Sequence, residues 1–280
     1  MENKKKRLII LSVIAGVLVF LMLLSSAIFR IKGVSVEYQT TLTMLSKEDL
    51  NLMIENSGIP VGKNIFFASL DDSIKQMERE NPYIKINGIE RKFPNSLVVL
   101  VSERVPVVRI EQNGYTYVLD SDLKILNIVK DGADGDYNAK TREKDLPIMT
   151  LSSEFSIVCS GLSVGDFIVN ERVQYFVDSF YRGAVTSSRE DASVAISLIS
   201  IIERIDVSYA RELERVRFDV TYKDNASLKT KIIGDTNLVD NIYKVIATVN
   251  YDITHDEVAY EEVNCTNGVL YAKEKSGGTP

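Results

Sequence analysis

The sequence contains few of the residues on which catalytic and metal sites depend. Its 280 residues include one histidine and two cysteines. Cys159 and Cys265 are far apart and have no CxxC or Cys/His neighbourhood, which argues against a zinc site. One pair is also no disulfide framework, although a single bond between them stays open in an oxidising compartment. The sequence has no internal repeat and no low-complexity tract.

Basic residues are scarce beyond the N-terminus. Residues 31–280 hold 28 Lys+Arg (33 minus 5) and 38 Asp+Glu (39 minus 1), which is a net charge of −10. This acidic balance argues against nucleic acid or anionic lipid as the main ligand. With 45% hydrophobic and 26% charged residues, the chain is globular in composition, and its length allows one or two domains.

One long uncharged run, residues 8–29, lies near the N-terminus. A helix of this length is about 33 Å long, enough for the roughly 30 Å hydrocarbon core of a bilayer. Four basic residues precede the run and two closely follow it, which predicts a cytoplasmic tail over residues 1–7 and an extracytoplasmic bulk. The alternative is a cleaved signal peptide, with Ser25 and Ala27 at a plausible cleavage spacing. Because the apolar region of such peptides is usually about 7–15 residues long, the sequence predicts a retained single-pass anchor in the cell membrane.

Residues 30–106 show the pattern of a small α+β domain. Ser46 with Asp49 three residues later resembles a capping box, and Gly88 interrupts an alternating run, which indicates a bulge. The predicted elements are a strand over 31–38, a helix from Ser46 to Gly58, a helix from Ser69 to Asn81, and strands over 83–92 and 97–101. This β-α-α-β-β order is compact enough for an independent domain.

Four motifs in this region are similar to those of the POTRA domain in the FtsQ/DivIB family of bacterial cell-division proteins. They are Gly62-Lys63-Asn64-Ile65-Phe66, Pro82-Tyr83-Ile84, Arg91-Lys92-Phe93-Pro94-Asn95-Ser96-Leu97 and Glu103-Arg104-Val105-Pro106. The residues that we take as characteristic of these POTRA motifs are Gly62, Asn64, Pro82, Arg91, Pro94, Glu103 and Arg104. The order of tail, anchor, POTRA domain and β domain also resembles the family. One departure is the absence of the glycine that the family often has after the first strand, where this chain reads Glu37-Tyr38-Gln39.

Residues 107–275 predict a larger β domain, and residues 276–280 a disordered tail. Asn267-Gly268 between two alternating runs is a strong hairpin signal. The predicted elements are a hairpin over 115–129, helices over 170–182 and 189–203, strands near 205–209, 213–222 and 227–233, a helix over 236–248, and strands over 257–265 and 268–273. The fold class predicted for the chain is α+β: one transmembrane helix, a β-α-α-β-β POTRA domain and a larger mixed, β-rich domain with helices.

Two patterns match those of serine enzymes. Gly161-Leu162-Ser163-Val164-Gly165 has the spacing of a nucleophile elbow, which needs a preceding strand, a directly following helix and a histidine base. The only histidine is His255, and the next helix is predicted only from about residue 170. Ser121 to Lys124 matches S-x-x-K, but its surroundings predict a hairpin and not the helix start that this motif needs. The alternative function is therefore a membrane-anchored extracytoplasmic serine hydrolase that uses Ser163 and His255.

Residues 131–145 come near the pattern of a calcium-binding loop. Side chains of the ligand type take its first, third and fifth positions: Asp134, Asp136 and Asn138. Ala139 lies where the sharp turn calls for glycine, and Asp145 lies where a longer glutamate is usual. The pattern favours a solvated acidic loop, with weak calcium binding as the alternative, and no metal ion or cofactor is predicted.

Charged residues cluster in the predicted POTRA strands: Glu90, Arg91, Lys92, Glu103 and Arg104. In an alternating strand, Glu90 and Lys92 share one face and Arg91 takes the other. No histidine or nucleophile is near them. The spacing therefore predicts cross-strand pairs at the rim of a small sheet rather than a catalytic cluster.

The resemblance implies a non-enzymatic division protein at the septum that links cytoplasmic and extracytoplasmic components. It implies the bitopic proteins FtsL and FtsB/DivIC as partners, and neither nucleic acid nor a small-molecule substrate. In the family, the binding edge belongs to the last strands of the β domain, and such an edge accepts a partner strand through backbone hydrogen bonds. The candidate contact residues are Tyr260, Val263, Val269, Leu270 and Tyr271, unless these apolar side chains face the core. Arg91 and the Pro94 turn are expected to be structural.

Overall fold

The computed structural model describes residues 10–20, 27–39, 46–188, 192–225, 227–234, 236–254 and 260–275. The chain divides into two compact units, residues 1–103 and 104–280. The domain boundary predicted from the sequence, after residue 106, lies slightly later in the chain.

Residues 10–20 are helical and exposed. No helix within the described ranges is both long enough and apolar enough to span a membrane. Residues 8–9 and 21–26 of the predicted anchor lie outside the described residues, as do the predicted tails over 1–7 and 276–280. The anchor therefore stays a prediction.

The first unit combines a three-stranded sheet with two helices. Its elements are β1 (Gly33–Tyr38), α1 (Lys47–Glu55), α2 (Asp71–Glu80), β2 (Ile84–Lys92) and β3 (Ser96–Glu103). The strand order is β1-β3-β2, in which β1 is parallel and β2 antiparallel to the central strand. The predicted β-α-α-β-β order is confirmed.

Local sequence signals set the limits of these elements. The Ser46 hydroxyl accepts a hydrogen bond from the Asp49 amide at 3.2 Å, and the Asp49 carboxylate accepts one from the Ser46 amide at 2.9 Å. This is the predicted capping box at the start of α1. The register of β2 and β3 shifts at Gly88, which is the predicted bulge. Helix α2 has Asn81 as its C-cap, because the residue before Pro82 is disfavoured in helical conformation.

Alternation along β3 builds the core of the first unit. Leu97, Val99 and Val101 are at most 1% exposed. Met53 of α1 and Met77 of α2 are buried in the same cluster. The two helices therefore cover one face of the small sheet, as burial of apolar surface requires.

The second unit, in its described part, is a nine-stranded sheet with three α-helices. Its strands are β4 (Pro106–Gln112), β5 (Tyr115–Asp120), β6 (Ile125–Lys130), β7 (Ile148–Leu151), β8 (Ile202–Ala210), β9 (Arg215–Tyr222), β10 (Lys229–Ile233), β11 (Tyr260–Thr266) and β12 (Val269–Glu274). Its helices are α3 (Glu171–Ser187), α4 (Ala192–Ser200) and α5 (Leu238–Thr254). The strand order is β12-β11-β10-β9-β8-β7-β4-β5-β6, so β12 and β6 are its two edges.

Most predicted elements of this unit are present, and the main differences lie at their ends. Antiparallel pairing of β5 and β6 confirms the hairpin over 115–129. The helix predicted over 189–203 ends at Ser200, because Ile202 already begins β8. Periodicity cannot divide a continuous apolar run between a helix and a strand, which explains this error. The helix predicted over 236–248 continues to Thr254.

Helices α3 and α5 approach each other closely at Gly183. A Cβ atom at this position would lie 2.7 Å from Ile242 Cγ2 and 3.2 Å from the backbone nitrogen of Tyr243. Aromatic rings in edge contact fill the space around α3, with centroids 5.2–5.6 Å apart: Phe155, Phe176, Phe180 and Phe218. The absence of a side chain at Gly183 therefore sets the spacing of the two helices.

We expect Gly183→Ala to lower the free energy of unfolding of the second unit. Alanine is about 1 kcal/mol better than glycine inside a helix, but the added methyl would push against Ile242 and the backbone of α5, and overpacking costs about 1–3 kcal/mol. Denaturant titration followed by circular dichroism measures the change. Thr186→Ala, on the exposed face of the same helix, is the control and should stay within about 0.5 kcal/mol of the parent. A Gly183→Ala protein more stable than the parent would contradict the close approach.

Candidate partner-binding surface

The last two strands form a tight hairpin. Strands β11 and β12 pair antiparallel, with Thr266 opposite Val269. The two residues between them, Asn267 and Gly268, have φ angles of 52° and 82°. Positive φ at both central positions is the mark of a type I′ turn, whose twist matches that of the flanking strands. The predicted Asn-Gly hairpin is confirmed.

This hairpin leaves one side of β12 open. Strand β11 pairs on its other side with β10, in parallel. Within the described residues, β12 has β11 as its single strand neighbour. The row of backbone groups on the outer side of β12 is therefore available to another strand.

The register of the hairpin decides which backbone groups face outward. In a two-residue hairpin the residues that flank the turn, here Thr266 and Val269, form a hydrogen-bonded pair. Such pairs alternate along an antiparallel ladder, so Leu270 and Cys265 form a non-hydrogen-bonded pair. The N–H and C=O groups of Leu270 therefore point towards the open edge, as do those of Ala272 two residues later.

The side chains of β12 are apolar on both faces of the sheet. Leu270 lies opposite Cys265, which is fully buried, so Leu270 is on the core face and is 37% exposed. Val269 and Tyr271 lie on the other face and are 70% and 57% exposed. An added strand would therefore find apolar contacts on either side of its backbone.

The structure brings four of the five predicted contact residues to the surface, Tyr260 among them as a half-buried residue. Val263 differs, because it is fully buried opposite Ala272 on the core face of β11. It packs the hairpin onto the core and offers no contact area to a partner. The alternation of side chains along β11 indicates that Val263 is buried, because Cys265, two residues later on the same face, is also fully buried.

Helix α5 holds the hairpin at two points that the sequence did not reveal. Lys244 Nζ donates to the Gly268 carbonyl at 2.8 Å and lies 2.8 Å from the Asp240 carboxylate. The hydrogen bond to Asp240 raises the pKa of Lys244, which keeps it charged. At the start of β11, the Asp252 carboxylate accepts a hydrogen bond from the Tyr260 amide at 3.3 Å. Burial raises the pKa of Asp252, and this hydrogen bond opposes the rise.

In the first unit, three motif residues shape one loop and hold it to β2. Gly62 has a φ of 86°, which glycine adopts without strain. Asn64 Oδ1 accepts a hydrogen bond from the Phe66 amide at 3.0 Å. Arg91 Nε donates to the Ile65 carbonyl at 2.8 Å, and its Nη2 donates to a second carbonyl of the same loop at 3.2 Å. These contacts give Arg91 a structural role.

The remaining motif residues of the first unit lie in turns and at a strand end. Pro82 lies between α2 and β2, and Pro94 follows a cis peptide bond in the turn between β2 and β3. Glu103 ends β3, opposite Ile84. Glu90 and Lys92 form an exposed pair at 2.6 Å, as their shared face predicts.

Arg104 is not at a solvated rim, and that prediction is wrong. Its side chain is 5% exposed at the start of the second unit. Its Nη1 lies 2.6 Å from Asp120 Oδ2 and 2.9 Å from Asp122 Oδ2, and its guanidinium lies over the ring of Phe167. Burial raises the pKa of Asp120, and the charge of Arg104 opposes the rise. The sequence around Arg104 could not show this, because Asp120 and Asp122 come from the next hairpin.

Neither serine pattern forms the geometry of its enzyme class. Ser163 is exposed in a turn between two glycines with positive φ, and its amide donates to Asp166 Oδ2 at 2.8 Å. No strand leads directly into this turn, and the next helix begins only at Glu171. The S-x-x-K lysine, Lys124, is buried beside the tight turn that joins β5 to β6. His255 lies outside the described residues.

The acidic loop and the cysteines also have structural settings. Glu143 Oε2 accepts hydrogen bonds from Asn127 and from the Asn138 amide, each at 2.8 Å, and so organises the loop. Among the described residues, no group of three or more His, Cys, Asp or Glu side chains could hold a metal ion. Cys159 and Cys265 are buried as free thiols, and burial raises the pKa of Cys159 to about 11.

Strands β4 and β7 pair at Arg109 and Ile148 and then separate. A cavity of about 300 Å³ lies between the separated parts. The Gln112 side chain in its lining donates to the Ile157 carbonyl at 2.9 Å and accepts from the Cys159 amide at 2.7 Å. Because these groups are used within the fold, the cavity is a weaker candidate than the open edge of β12.

Comparisons with known proteins bear on both units. The family model described as POTRA domain, FtsQ-type, matches residues 29–104. Cell division protein DivIB of Clostridium acetobutylicum is 33% identical over 102 residues, which is 36% of this chain and 38% of that protein. DivIB of Clostridium tetani is 33% identical over 98 residues, 35% of this chain and 34% of that protein. Cell division protein FtsQ of Geotalea daltonii is 25% identical over 210 residues, 72% of this chain and 70% of that protein.

The fold and these matches first define a class, that of proteins with an FtsQ-type POTRA domain joined to a β-rich unit. The match of the FtsQ-type POTRA model to residues 29–104 and the matches to DivIB and FtsQ proteins support the resemblance to the FtsQ/DivIB family that the motifs carry. The two DivIB matches span little more than a third of those relatives' own lengths.

We expect Arg104→Met to lower the free energy of unfolding of the second unit by about 3–5 kcal/mol, because it leaves the Asp120 carboxylate buried without its cation. Denaturant titration measures this loss. The control is Arg182→Met, whose arginine is 63% exposed and 3.6 Å from Asp178, and it should cost at most about 0.5 kcal/mol.

The pH dependence of the same variant tests the cause of the loss. With the pKa of folded Asp120 raised above its ordinary value of 3.8, and raised further without Arg104, the folded state binds a proton that the unfolded state has released. The deficit relative to the parent should therefore be small below the pKa of Asp120 in the folded parent, and it should grow as the pH rises from that pKa to the higher pKa of Asp120 in the folded variant. A deficit independent of pH would contradict an ion-pair origin.

Proposed function

We propose that this chain is a non-enzymatic cell-division protein that binds other division proteins through the open edge of β12. Its FtsQ-type POTRA domain and the names of its relatives, cell division proteins DivIB and FtsQ, support a role in division. The observation that carries the binding mode is the outward direction of the Leu270 and Ala272 backbone groups on an edge strand.

Binding would occur by strand addition. The two residues offer two N–H and two C=O groups, and each hydrogen bond contributes about 0.5–1.5 kcal/mol net. Alternate side chains of the partner strand would pack on Val269 and Tyr271 on one face and on Leu270 on the other. A suitable partner segment is therefore extended and apolar at successive positions.

A charged pair marks the far end of this surface. Lys273 Nζ lies 3.0 Å from Glu261 Oε2, and both side chains are about half exposed. Lys273 shares the face of Val269 and Tyr271, because it follows them at every second position. A partner segment would then meet apolar side chains near the turn and charges at the other end of the strand.

The partners that we propose are bitopic division proteins of the FtsL and FtsB/DivIC type, as the resemblance implies. The uncharged run over 8–29 would anchor the chain in the cell membrane, with residues 1–7 in the cytoplasm and the remainder outside. This arrangement would link the cytoplasmic and extracytoplasmic parts of the machinery at the septum. The exposed setting of Ser163, without a helix directly after it, argues against the serine-hydrolase alternative.

Leu270→Pro tests strand addition directly. Proline removes the outward N–H of Leu270, which the hairpin itself does not use, so we expect the fold to persist and partner binding to be lost or strongly weakened. Co-purification of the full-length chain with candidate bitopic partners in detergent measures binding, and circular dichroism confirms the fold.

Two further variants separate the backbone from the side chain. Leu270→Ala keeps the N–H and removes the side chain, so it should weaken binding less than Leu270→Pro. Tyr271→Pro removes an inward N–H of the hairpin and should disturb the hairpin itself. Unchanged binding by a folded Leu270→Pro protein would rule out this edge as the interface.

A further inference from the structure

Two of the sequence motifs bring their phenylalanines together at the end of the uncharged run. Phe29 is the last residue of that run. The ring of Phe66 lies 5.0 Å from the ring of Phe29 and 4.9 Å from that of Phe93, and Phe29 and Phe93 are 6.3 Å apart. With the neighbouring Phe67, these residues form what we call the aromatic patch.

The aromatic patch lies on the surface of the first unit. Phe66 is 52% exposed, Phe93 is 57% exposed and Phe67 is 87% exposed. Large apolar side chains grouped in this way mark a site of contact with another protein, a ligand or a membrane. The position of the patch decides between these occupants.

Backbone hydrogen bonds fix the patch to the end of the uncharged run. The Ile65 amide donates to the Phe29 carbonyl at 2.7 Å, and the Gly62 amide donates to the Ile31 carbonyl at 2.8 Å. The Ile31 amide donates to the Lys63 carbonyl at 2.9 Å. The loop that carries Phe66 and Phe67 is thus tied to the residues that would leave the bilayer.

The distances match the thickness of the membrane interface. A bilayer is about 40–45 Å thick with its headgroups and about 30 Å without them, so each interfacial layer is about 5–8 Å thick. The rings of Phe66 and Phe93 lie within 6.3 Å of Phe29. If Phe29 ends the membrane segment, both rings lie at the depth where apolar side chains of surface-bound helices enter the acyl boundary.

The local charge also suits a lipid surface, although residues 31–280 are acidic overall. Three segments form or flank the patch: residues 29–33, 60–68 and 91–96. They contain two, one and two basic residues respectively and no acidic residue, and one of the basic residues, Lys92, is paired with Glu90 just outside them. Arg30, Lys32 and Lys63 are exposed. Basic side chains beside an apolar patch favour contact with anionic headgroups.

We propose that the aromatic patch inserts into the interfacial layer of the bilayer beside the anchor and so fixes the orientation of the POTRA unit on the membrane. This inference rests on the membrane anchor in the proposed function. The patch would then act as a second contact with the lipid, formed only after the unit has folded, because its rings come from separate segments of the chain.

The absence of tryptophan from the sequence allows a direct test. Single substitutions Phe67→Trp and Phe93→Trp are made in the full-length chain, which is placed as one copy per nanodisc of phosphatidylcholine and phosphatidylglycerol. Lys85→Trp is the reference in water, since this exposed residue lies near the far end of β2, eight residues before Phe93, which is about 26 Å at 3.3 Å per residue. Phe20→Trp is the reference within the anchor.

Lipids brominated near the headgroup end of the acyl chains should quench the tryptophan fluorescence of the Phe67→Trp and Phe93→Trp proteins. They should leave the fluorescence of the Lys85→Trp protein unquenched. Iodide in the aqueous phase should quench the Lys85→Trp protein strongly and the Phe67→Trp and Phe93→Trp proteins weakly. If Phe20→Trp is quenched by deeply brominated lipid while Phe67→Trp and Phe93→Trp behave like Lys85→Trp, the inference is wrong and the anchor stands. If Phe20→Trp is not quenched, the anchor itself is wrong and the inference falls with it.

A second variant excludes an effect of the probe, because tryptophan itself favours membrane interfaces. Adding Phe66→Ser and Phe93→Ser to the Phe67→Trp chain should abolish the lipid quenching while circular dichroism stays unchanged. Quenching that persists would show that the probe alone enters the lipid, and it would overturn the proposal. Protection from iodide without lipid quenching would point to a protein surface over the patch and would also overturn it.

Discussion

The parallel pairing of β10 with β11 determines how the sheet ends. Parallel strands cannot be joined by a tight turn, so the chain crosses over through α5 before β11 begins. Strand β11 is then occupied by β10 on one side, and the strand after the Asn-Gly turn can pair only on the other side. This places β12 at the outside of the sheet. The crossover helix also supports the hairpin, through Lys244 at the turn and Asp252 at the start of β11.

Several residues that carry the family resemblance stabilise the fold, whereas the strand proposed to bind a partner carries no motif. Gly62 and Arg91 shape and hold a loop, and Arg104 is a buried cation. A strand that binds through backbone N–H and C=O groups needs alternation and the absence of proline, and many sequences meet those conditions. The motifs therefore identify the POTRA domain without marking the strand that would bind a partner protein.

Much of the fold was predictable because its signals are local. The Ser46 capping box, the Gly88 bulge and the Asn267-Gly268 turn each depend on a few neighbouring residues, and all three are present. The burial of Arg104 was not predictable, because whether a cation at a strand end meets water or a carboxylate depends on a distant hairpin. The candidate binding edge was likewise predictable only in part. Alternation assigns Tyr271 and Leu270 to opposite faces, but only the order of strands shows that their edge is open.

The small size of the open edge bears on how the protein would work. Four backbone hydrogen bonds at about 0.5–1.5 kcal/mol each give about 2–6 kcal/mol, while association costs at least about 4 kcal/mol. Side-chain packing on Val269, Leu270 and Tyr271 would have to supply the remainder, so contact between free proteins in solution would be weak. Partners anchored in the same membrane would meet at a raised effective concentration, and a Kd of about 1 mM, or about −4.1 kcal/mol, would suffice where that concentration reaches the millimolar range. A POTRA unit that the aromatic patch held in one orientation would lose less freedom on binding, which would lower the cost further. The membrane would thus supply the proximity that a short edge strand lacks, and the contact could remain reversible.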